Sequence, residues 1–432
     1  MEIIQLLKDN IPTQSEQSVL SVEQYNPDTH NVMNKSKRKD KTVYKPVLDQ
    51  HGNATDEEPR ASLEPVNRVP IAFQKTVVSL RKYFMNLKGS VLYCDDDQSE
   101  LLAEVNRVRK NVKYNFKIEE VAERVMSELQ SAEMWWLSEN NEIKMRVISP
   151  EKGDLLQPVF DDFGDMIMFV RSYSDKNDNT LYDVFTAEKN YTFNESFELL
   201  KEWDNAWNKI PIVYYSQPKP EWNDIQVIIE RYETILSNLG DTNDYSGAPI
   251  TVVKGNIVGF ANKGDSGKTL QLEENASVDY LTADGSPESI KLEMESLYNL
   301  MHSLSHTPDI SIETLKGQGG TSGVAFDRLF TDAQLSAESK LTSDFGESMQ
   351  RSVNLVSSML RSINKSLPDD IIELETNAYR FDDITSFIQN SVLLNGILSK
   401  ETITKLVAAK YGIDEAEEWD RVRSEFGMSE EE

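Results

Sequence analysis

The stretch Lys316-Gly317-Gln318-Gly319-Gly320-Thr321-Ser322-Gly323 decides the fold, because it leads directly into about forty residues with no proline and a single glycine. Beyond it the apolar positions step by three and four, which is the period of an α-helix with one buried stripe. At about 1.5 Å per residue, one helix of this length would reach roughly 60 Å. The pattern predicts an extended element after a deformable loop, with Gly346 as a candidate kink. The stripe consists of Phe330, Ala333, Ala337, Leu341, Phe345, Met349, Val353, Val356 and Leu360.

Length and composition indicate a soluble, folded protein of two or three domains. The chain has 432 residues, of which 39% are hydrophobic and 27% are charged, enough to bury substantial cores. No apolar run approaches the roughly 18 residues that span a bilayer, and the N-terminus lacks the pattern of a signal peptide. A single cysteine, Cys94, allows no internal disulfide and no thiolate zinc site. We therefore expect no membrane insertion, no secretion and assembly in a reducing interior.

The formal net charge of −28 argues against a protein that grips nucleic acid, since affinity for phosphates comes mainly from lysine and arginine clusters. A strongly negative wall is nevertheless suited to a channel through which a polyanion slides. Excess negative charge also keeps proteins soluble, and the charge alone does not decide between these two interpretations.

Residues 1–61 form a polar segment in which the sequence predicts little regular structure. It contains the basic run Lys35-Ser36-Lys37-Arg38-Lys39-Asp40-Lys41. No aromatic residue interleaves these charges, so a solvated tail is favoured over a nucleic-acid site. We expect an arm that is disordered or that lies against a neighbouring molecule.

Residues 62–221 show the mixed periodicities of an α+β domain. Helical spacing predicts two helices, and alternating apolar residues beside turn signals predict several strands. The expected helices cover residues 66–87 and 118–131, and the expected strands cover 90–94, 143–148, 166–173 and 181–186.

A pair of helices with narrow apolar stripes follows. The first is expected over residues 222–245, closing near Gly240, and the second over residues 286–306, with Ser286 as N-cap and Pro287 at the first helical position. Short strand-like runs separate the two. The second helix has a seam with steps of four and three, typical of nearly parallel helices, and we expect neighbouring subunits to complete its burial. The seam residues are Ile290, Met294, Leu297, Met301 and Leu304.

The order of these elements resembles the portal proteins of tailed bacteriophages, in the subgroup typical of siphophages of Gram-positive hosts. The resemblance covers about residues 62–428. Four strings carry it, and their order is more specific than any one of them. They are Asn67-Arg68-Val69-Pro70-Ile71-Ala72-Phe73-Gln74-Lys75 before Leu87-Lys88-Gly89, Lys209-Ile210-Pro211-Ile212-Val213, Tyr232-Glu233-Thr234-Ile235-Leu236-Ser237-Asn238, and Thr321-Ser322-Gly323-Val324-Ala325.

The resemblance implies an α+β portal-type fold with named parts. After the polar arm (1–61) come an α+β wing (62–221), a first stem helix (222–245), a small β-rich clip (246–285) and a second stem helix (286–306). A tunnel loop (307–321), a long wing helix (322–364), a wing strand (365–380) and a helical crown with an acidic tail (381–432) complete the chain.

It also implies a function in the virion. The family forms a ring, commonly of twelve subunits, at one capsid vertex, through which double-stranded DNA passes during packaging and ejection. Implied partners are further copies of the chain, the terminase large subunit, a neck or head-completion protein and the major capsid protein, with assembly in the bacterial cytoplasm. Implied DNA-facing residues are Lys316, Gly317, Gln318, Gly319, Gly320 and Thr321, and implied partner-docking residues of the clip are Lys254, Asn262, Lys263, Asp265 and Lys268.

Enzyme-like signals in the sequence are weak. The run Gly264-Asp265-Ser266-Gly267-Lys268-Thr269 imitates a phosphate-binding loop but lacks the first glycine, and alternating residues follow it where that motif needs a helix. The pair His302 and His306 lacks a third metal ligand, and the acidic residues after Cys94 lack the spacing of a calcium loop.

We therefore expect no enzyme activity, no cofactor and no bound metal. The alternatives that remain are another capsid or neck protein with long interface helices and a P-loop ATPase.

Overall fold

The computed structural model describes residues 2–45, 47, 57–95, 99–246, 250–254, 257–259, 271–272, 277–281, 287–311, 323–380, 393–394, 397–411 and 413–426. Helices and strands mix along the chain, as expected for an α+β fold. The helices are α1 (Glu2–Asp9), α2 (Glu16–Tyr25), α3 (Phe73–Met85), α4 (Glu100–Asn111), α5 (Tyr114–Glu128), α6 (Gln226–Ser246), α7 (Pro287–Leu304), α8 (Gly323–Leu341), α9 (Asp344–Ile363), α10 (Lys400–Tyr411) and α11 (Glu415–Phe426).

The strands pair antiparallel throughout the described part of the chain. They are β1 (Lys41–Lys45), β2 (Arg60–Glu64), β3 (Val91–Tyr93), β4 (Gln130–Leu137), β5 (Ile143–Ile148), β6 (Leu155–Phe160), β7 (Met166–Ser174), β8 (Thr180–Phe185), β9 (Lys189–Asn194), β10 (Leu199–Asp204), β11 (Ile212–Ser216), β12 (Ile250–Lys254), β13 (Ile257–Gly259), β14 (Gln271–Leu272), β15 (Ser277–Leu281) and β16 (Glu373–Glu375).

Two sheets form the body of the protein. A five-stranded sheet has the order β10-β9-β8-β7-β6, and a three-stranded sheet has the order β11-β4-β5. An apolar layer that includes Ile148, Phe169 and Phe185 joins strands of both sheets. A separate cluster brings Leu7 of α1 together with Val170 and Phe193 of the five-stranded sheet. The larger sheet is therefore packed on both faces.

The main core surrounds the three-stranded sheet and joins helices that are far apart in sequence. Val77 of α3, Val121 of α5, Trp135 of β4 and Met349 of α9 all belong to one buried cluster. At the edge of this core β16 pairs with β3, so that the chain beyond α9 returns to the same domain.

The N-terminal segment differs from the expected irregular arm. Residues 2–9 and 16–25 are helical, and they pack against the same chain. The hydroxyl of Ser18 donates to the carbonyl of Glu128 at 2.7 Å, and that of Ser21 donates to the carbonyl of Ser127 at 2.8 Å. Two serine hydroxyls on one face of α2 thus attach this helix to the carbonyl groups at the end of α5. Such polar contacts produce no hydrophobic pattern in the sequence.

The expected single long helix is in fact two helices. α8 ends at Leu341 and α9 begins at Asp344. A Cβ at Gly346 would lie 1.8 Å from the carbonyl oxygen of Leu341, so the close approach at this break requires glycine. The apolar stripe crosses the break uninterrupted because Leu341 and Phe345 are both buried in the main core. The helical period of apolar residues therefore does not indicate the break between α8 and α9.

The boundaries of two other helices also differ from expectation. α3 begins at Phe73 rather than near residue 66, because backbone N–H groups of the preceding residues donate to side chains of α6. α6 continues through Gly240 to Ser246. Gly240 lies inside the helix, where a Cβ would come within 3.2 Å of the Asn67 side chain. It marks a close contact rather than a helix end.

Candidate functional site

Helices α6 and α7 pack beside each other and border a cleft. An ion pair joins them at the surface, with Nη2 of Arg231 2.7 Å from Oε1 of Glu293. Between them lies a cleft of about 840 Å³. Its apolar lining includes Tyr232, Leu239, Ile290, Met294 and Tyr298. The two helices therefore contact each other without filling the space between their apolar stripes.

The five seam residues are buried to very different degrees. Met301 is 1% exposed, because it belongs to the main core at the foot of the pair. Ile290, Met294 and Leu297 are half-buried, and Leu304 is 50% exposed. Along this seam, burial is complete only where α7 meets the body.

A further exposed line of leucines lies on α7, which the sequence pattern did not single out. Leu292 is 66% exposed and Leu300 is 45% exposed. Positions eight apart lie about 80° apart around a helix of 3.6 residues per turn, so the two leucines point in different directions, and both lie outside the narrow seam. α7 thus carries apolar side chains toward the cleft and on a second, open side.

His302 lies in the last turn of α7 and forms a hydrogen bond that stabilises the end of this helix. Its Nδ1–H donates to the carbonyl of Thr307 at 2.8 Å, and its ring packs against Phe73 and Tyr298. His306 has a left-handed backbone with φ of 51°. Within the described ranges, no group of three or more His, Cys, Asp or Glu residues could hold a metal ion.

A buried cluster of charges holds the foot of the pair. The carboxylate of Glu221 lies against Lys340 of α8 and is 3.3 Å from Nε of Arg81 in α3. Nη2 of Arg81 also donates to the carbonyl of Ser305 at 3.3 Å, directly after α7. Burial raises the pKa of Glu221, but the charges of Lys340 and Arg81 outweigh it and hold the pKa below its usual range.

We call Arg81, Glu221 and Lys340 the foot cluster. It fixes the start of α6, the end of α7 and the end of α8 relative to one another. The three charges are far apart in sequence and follow no periodic pattern, so the sequence offered no signal for them.

The remaining expected site residues fall mostly outside the described residues. These are Lys316, Gly317, Gln318, Gly319, Gly320 and Thr321 of the loop, and Asn262, Lys263, Asp265 and Lys268 of the β-rich segment. Lys254 ends β12, which pairs with β15. Gln271 and Leu272 form a strand, where a phosphate-binding loop would need a helix.

No helix in the described part of the chain is both long and apolar enough to cross a membrane. A protein-family model described as "Phage portal protein, SPP1 Gp6-like" matches residues 20–428. No curated protein matches the chain.

Several solved structures contain chains similar to this one. A chain of "Virion of native gene transfer agent (GTA) particle" is 10% identical with a TM-score of 0.46, over 93% of this chain and 95% of that chain. A chain of "Neck of empty GTA particle computed with C6 symmetry" is 11% identical with a TM-score of 0.43, over the same shares of the two chains. A chain of "Neck of native GTA particle computed with C12 symmetry" is 11% identical with a TM-score of 0.39, over 78% of this chain and 92% of that chain.

Proposed function

This chain belongs to the SPP1 Gp6-like family of phage portal proteins, and we propose that it forms a ring at one vertex of a phage capsid. The family is structural and non-enzymatic. The ring conducts double-stranded DNA into the capsid during packaging and out of it during ejection. Twelve subunits are proposed, by analogy with the ring size common in the family. The proposed partners are the terminase large subunit, a neck or head-completion protein and the major capsid protein.

The proposed parts of the subunit follow the chain. α6 and α7 are the stem, the strands between them belong to the clip, and the body formed by the two sheets and α3, α4, α5, α8 and α9 is the wing. Residues 307–321 are the tunnel loop, and α10 and α11 belong to the crown.

The observation that carries the ring proposal is the incomplete burial of the stem. The cleft of about 840 Å³ between α6 and α7, and the exposed Leu292 and Leu300 outside the seam, place apolar surface on different sides of one helix pair. A ring needs two different complementary surfaces on each subunit, because each copy contacts one neighbour with each side. The stem supplies apolar surface on two sides, which supports a ring over a twofold dimer.

The foot cluster supports the assignment of the tunnel loop. Ser305 precedes the loop and Lys340 lies in the helix that follows it, and both contact the pair formed by Arg81 and Glu221. The body therefore anchors the chain on both sides of the glycine-rich stretch. A loop between two fixed helices can change shape at its glycines while the stem stays in place.

The charge of the chain suits the same function. A net charge of −28 per subunit repels phosphates at short range, and salt screens this repulsion over about 8 to 10 Å. DNA then passes without being held. Lys316 offers one transient phosphate contact per subunit, which guides DNA without retaining it.

Negative-stain electron microscopy of the purified protein tests the proposal. We expect rings with a central hole wide enough for a DNA duplex. A compact monomer, or an assembly without a channel, would instead favour another structural role at the capsid or neck.

A further inference from the structure

Two segments that precede α3 in the chain run along α6 from Glu233 to Asp241. We call them together the strap, defined as residues 30–40 and 67–71. Arg68 joins the two segments, because its Nη2 lies 2.8 Å from Oδ1 of Asp40 and 2.7 Å from the carbonyl oxygen of Arg38. The strap therefore behaves as one unit along the helix.

The second segment contacts α6 in a regular ladder. The backbone N–H of Asn67 donates to Oδ1 of Asp241 at 2.7 Å, and the N–H of Val69 donates to Oγ of Ser237 at 3.0 Å. The N–H of Ile71 donates to Oε1 of Glu233 at 2.9 Å. Every second residue of the strap thus meets every fourth residue of the helix.

The spacing of the ladder follows from elementary geometry. Two residues of extended chain rise about 6.6 Å, and four residues of α-helix rise about 6.0 Å, so the two repeats stay in register over the two steps between the three contacts. Alternate N–H groups of an extended chain point to the same side. Pro70 has no N–H, and it occupies a position between two donors where none is needed.

Arg38 adds a charged contact at the far end of the ladder. Its Nη2 lies 2.6 Å from Oδ2 of Asp241, its Nη1 donates to Oδ1 of Asn238 at 2.8 Å, and its Nε donates to the carbonyl of Asn67 at 2.8 Å. Asp241 is therefore bound by both segments of the strap. The sequence predicts that Arg38 belongs to a solvated basic run, but its side chain is only 16% exposed because α6 binds it, whereas Lys37 and Lys39 are exposed.

A buried pair closes the near end. Nδ1 of His30 lies 2.6 Å from Oε1 of Glu233, the same oxygen that accepts from Ile71, and both side chains are almost fully buried. The other ring nitrogen, Nε2, lies 2.8 Å from the carbonyl oxygen of Gln24. With an acceptor oxygen beside each ring nitrogen, this geometry favours the doubly protonated, charged form of His30.

We propose that the strap positions the C-terminal half of α6 and so fixes the direction in which the helix pair leaves the body. The first turn of α6 needs no such support, because Ile225, directly before the helix, and Ile229 anchor it in the main core. Beyond this part, the strap holds α6 on the side opposite α7 through polar contacts at Ser237 and Asp241. We expect these contacts to form and break together. The effect of the strap on the geometry of a ring rests on the proposed function, whereas the contact between the strap and α6 does not.

Hydrogen–deuterium exchange of the full chain tests this proposal with the variants Arg38→Gln, Asp241→Asn and the double variant. Each single change removes a charge-assisted contact, so we expect amides of residues 233–246 to exchange about tenfold faster. Arg38 and Asp241 belong to one contact, so either single change already breaks it. The amides of the double variant should therefore exchange no faster than those of the faster single variant. Arg60→Gln is the matched control, since the exposed side chain of Arg60 pairs with exposed Glu57 at 3.5 Å and contacts no residue of α6 among those that the structure describes.

Three results would overturn the proposal. The first is that Arg38→Gln and Asp241→Asn change the exchange rates of residues 233–246 no more than Arg60→Gln does. The second is an equal acceleration in β7 and β8, which would mean that the contacts stabilise the whole fold. The third is a double variant whose effect is the product of the single effects, which would mean that Arg38 and Asp241 act separately. Mass photometry of the same samples tests the ring independently, so that a monomer with the expected local exchange would contradict only the ring.

Discussion

Nε of Arg81 lies 3.3 Å from Oε2 of Glu221, and both side chains are largely shielded from water at the junction of three helices. The same carboxylate also contacts Lys340. One anion therefore balances two cations, and removing it leaves both without compensation.

Glu221→Gln should consequently destabilise the folded chain by about 3 to 5 kcal/mol, the cost typical of breaking a buried ion pair. Urea unfolding followed by circular dichroism measures this free energy. Glu293→Gln is the control, because Glu293 forms an exposed pair with Arg231 and should cost at most about 1 kcal/mol. Equal effects of the two changes would contradict the structural importance of the foot cluster.

Leu297→Asp should prevent ring formation while leaving a folded monomer. Leu297 is half-buried along the seam, and truncation of a buried leucine typically costs about 2 to 5 kcal/mol. A charge in a subunit interface adds a desolvation cost. Mass photometry gives the distribution of assemblies. Leu20→Asp, at an exposed leucine of α2, is the control that should still form rings, and rings from both variants would mean that the stem is placed wrongly.

Proline at Gly319 and Gly320 should impair DNA packaging or release without changing ring size. Proline restricts φ to about −65° and removes two backbone donors. Lys316→Ala should have a milder effect, because a single phosphate contact carries little affinity. The DNA content of capsids assembled with each variant measures this. Normal filling with the proline variant, or a complete block from Lys316→Ala alone, would argue against a deformable DNA-facing loop.

The pair of His30 and Glu233 should make stability depend on pH. Burial lowers the pKa of His30, but the hydrogen bond and charge of Glu233, with a smaller contribution from Glu230, raise it above its ordinary value of 6.5. A group with a raised pKa in the folded state stabilises the protein fully below its unfolded pKa and loses this effect as pH rises through its folded pKa.

The free energy of unfolding of the wild type should therefore exceed that of His30→Gln by about 1 to 3 kcal/mol at about pH 6, and the difference should shrink toward about pH 9. Urea unfolding of both proteins across this range measures it. A difference that stays constant or grows as pH rises would mean that the pKa of His30 is not raised in the folded protein.

Gly346→Ala should be far more damaging than Gly240→Ala. A Cβ at Gly346 would lie 1.8 Å from backbone, the carbonyl oxygen of Leu341, whereas a Cβ at Gly240 meets only the side chain of Asn67 at 3.2 Å. We expect a loss of roughly 3 kcal/mol or more at Gly346. At Gly240 the gain in helix propensity, about 1 kcal/mol, should offset most of the strain. Thermal unfolding of the two variants compares them directly.

Periodicity predicted those elements whose side chains pack by alternation or by helical spacing. Residues 143–148 form the expected strand, and α6, α7 and β3 lie where the pattern placed them, within a few residues. The family resemblance, which the order of motifs carried, is confirmed by the match to the portal family. Hydrophobic burial leaves a local record in sequence, and these elements depend on it.

Contacts of polar groups over long separations left no such record. Arg38 looked like the lysines around it, and only the structure shows that Asp241 binds it across 203 positions. The apolar period did not reveal the break between α8 and α9, because both helices bury one continuous stripe, and only Gly346, the candidate kink, marked its place. Polar docking and helix breaks of this kind depend on where distant segments lie, which a single sequence does not record.

In the ladder between the strap and α6, the strap contributes main-chain donors and the helix contributes side-chain acceptors, so the two sides tolerate mutation differently. Asn67, Val69 and Ile71 contribute main-chain donors that nineteen of the twenty amino acids would also provide, so mutation can alter these side chains and spare the hydrogen bonds. Glu233, Ser237 and Asp241 contribute side-chain oxygens that few replacements could supply. In a population of natural variants, substitutions should therefore accumulate faster at Val69, whose contact uses only its main chain, than at Glu233, Ser237 or Asp241.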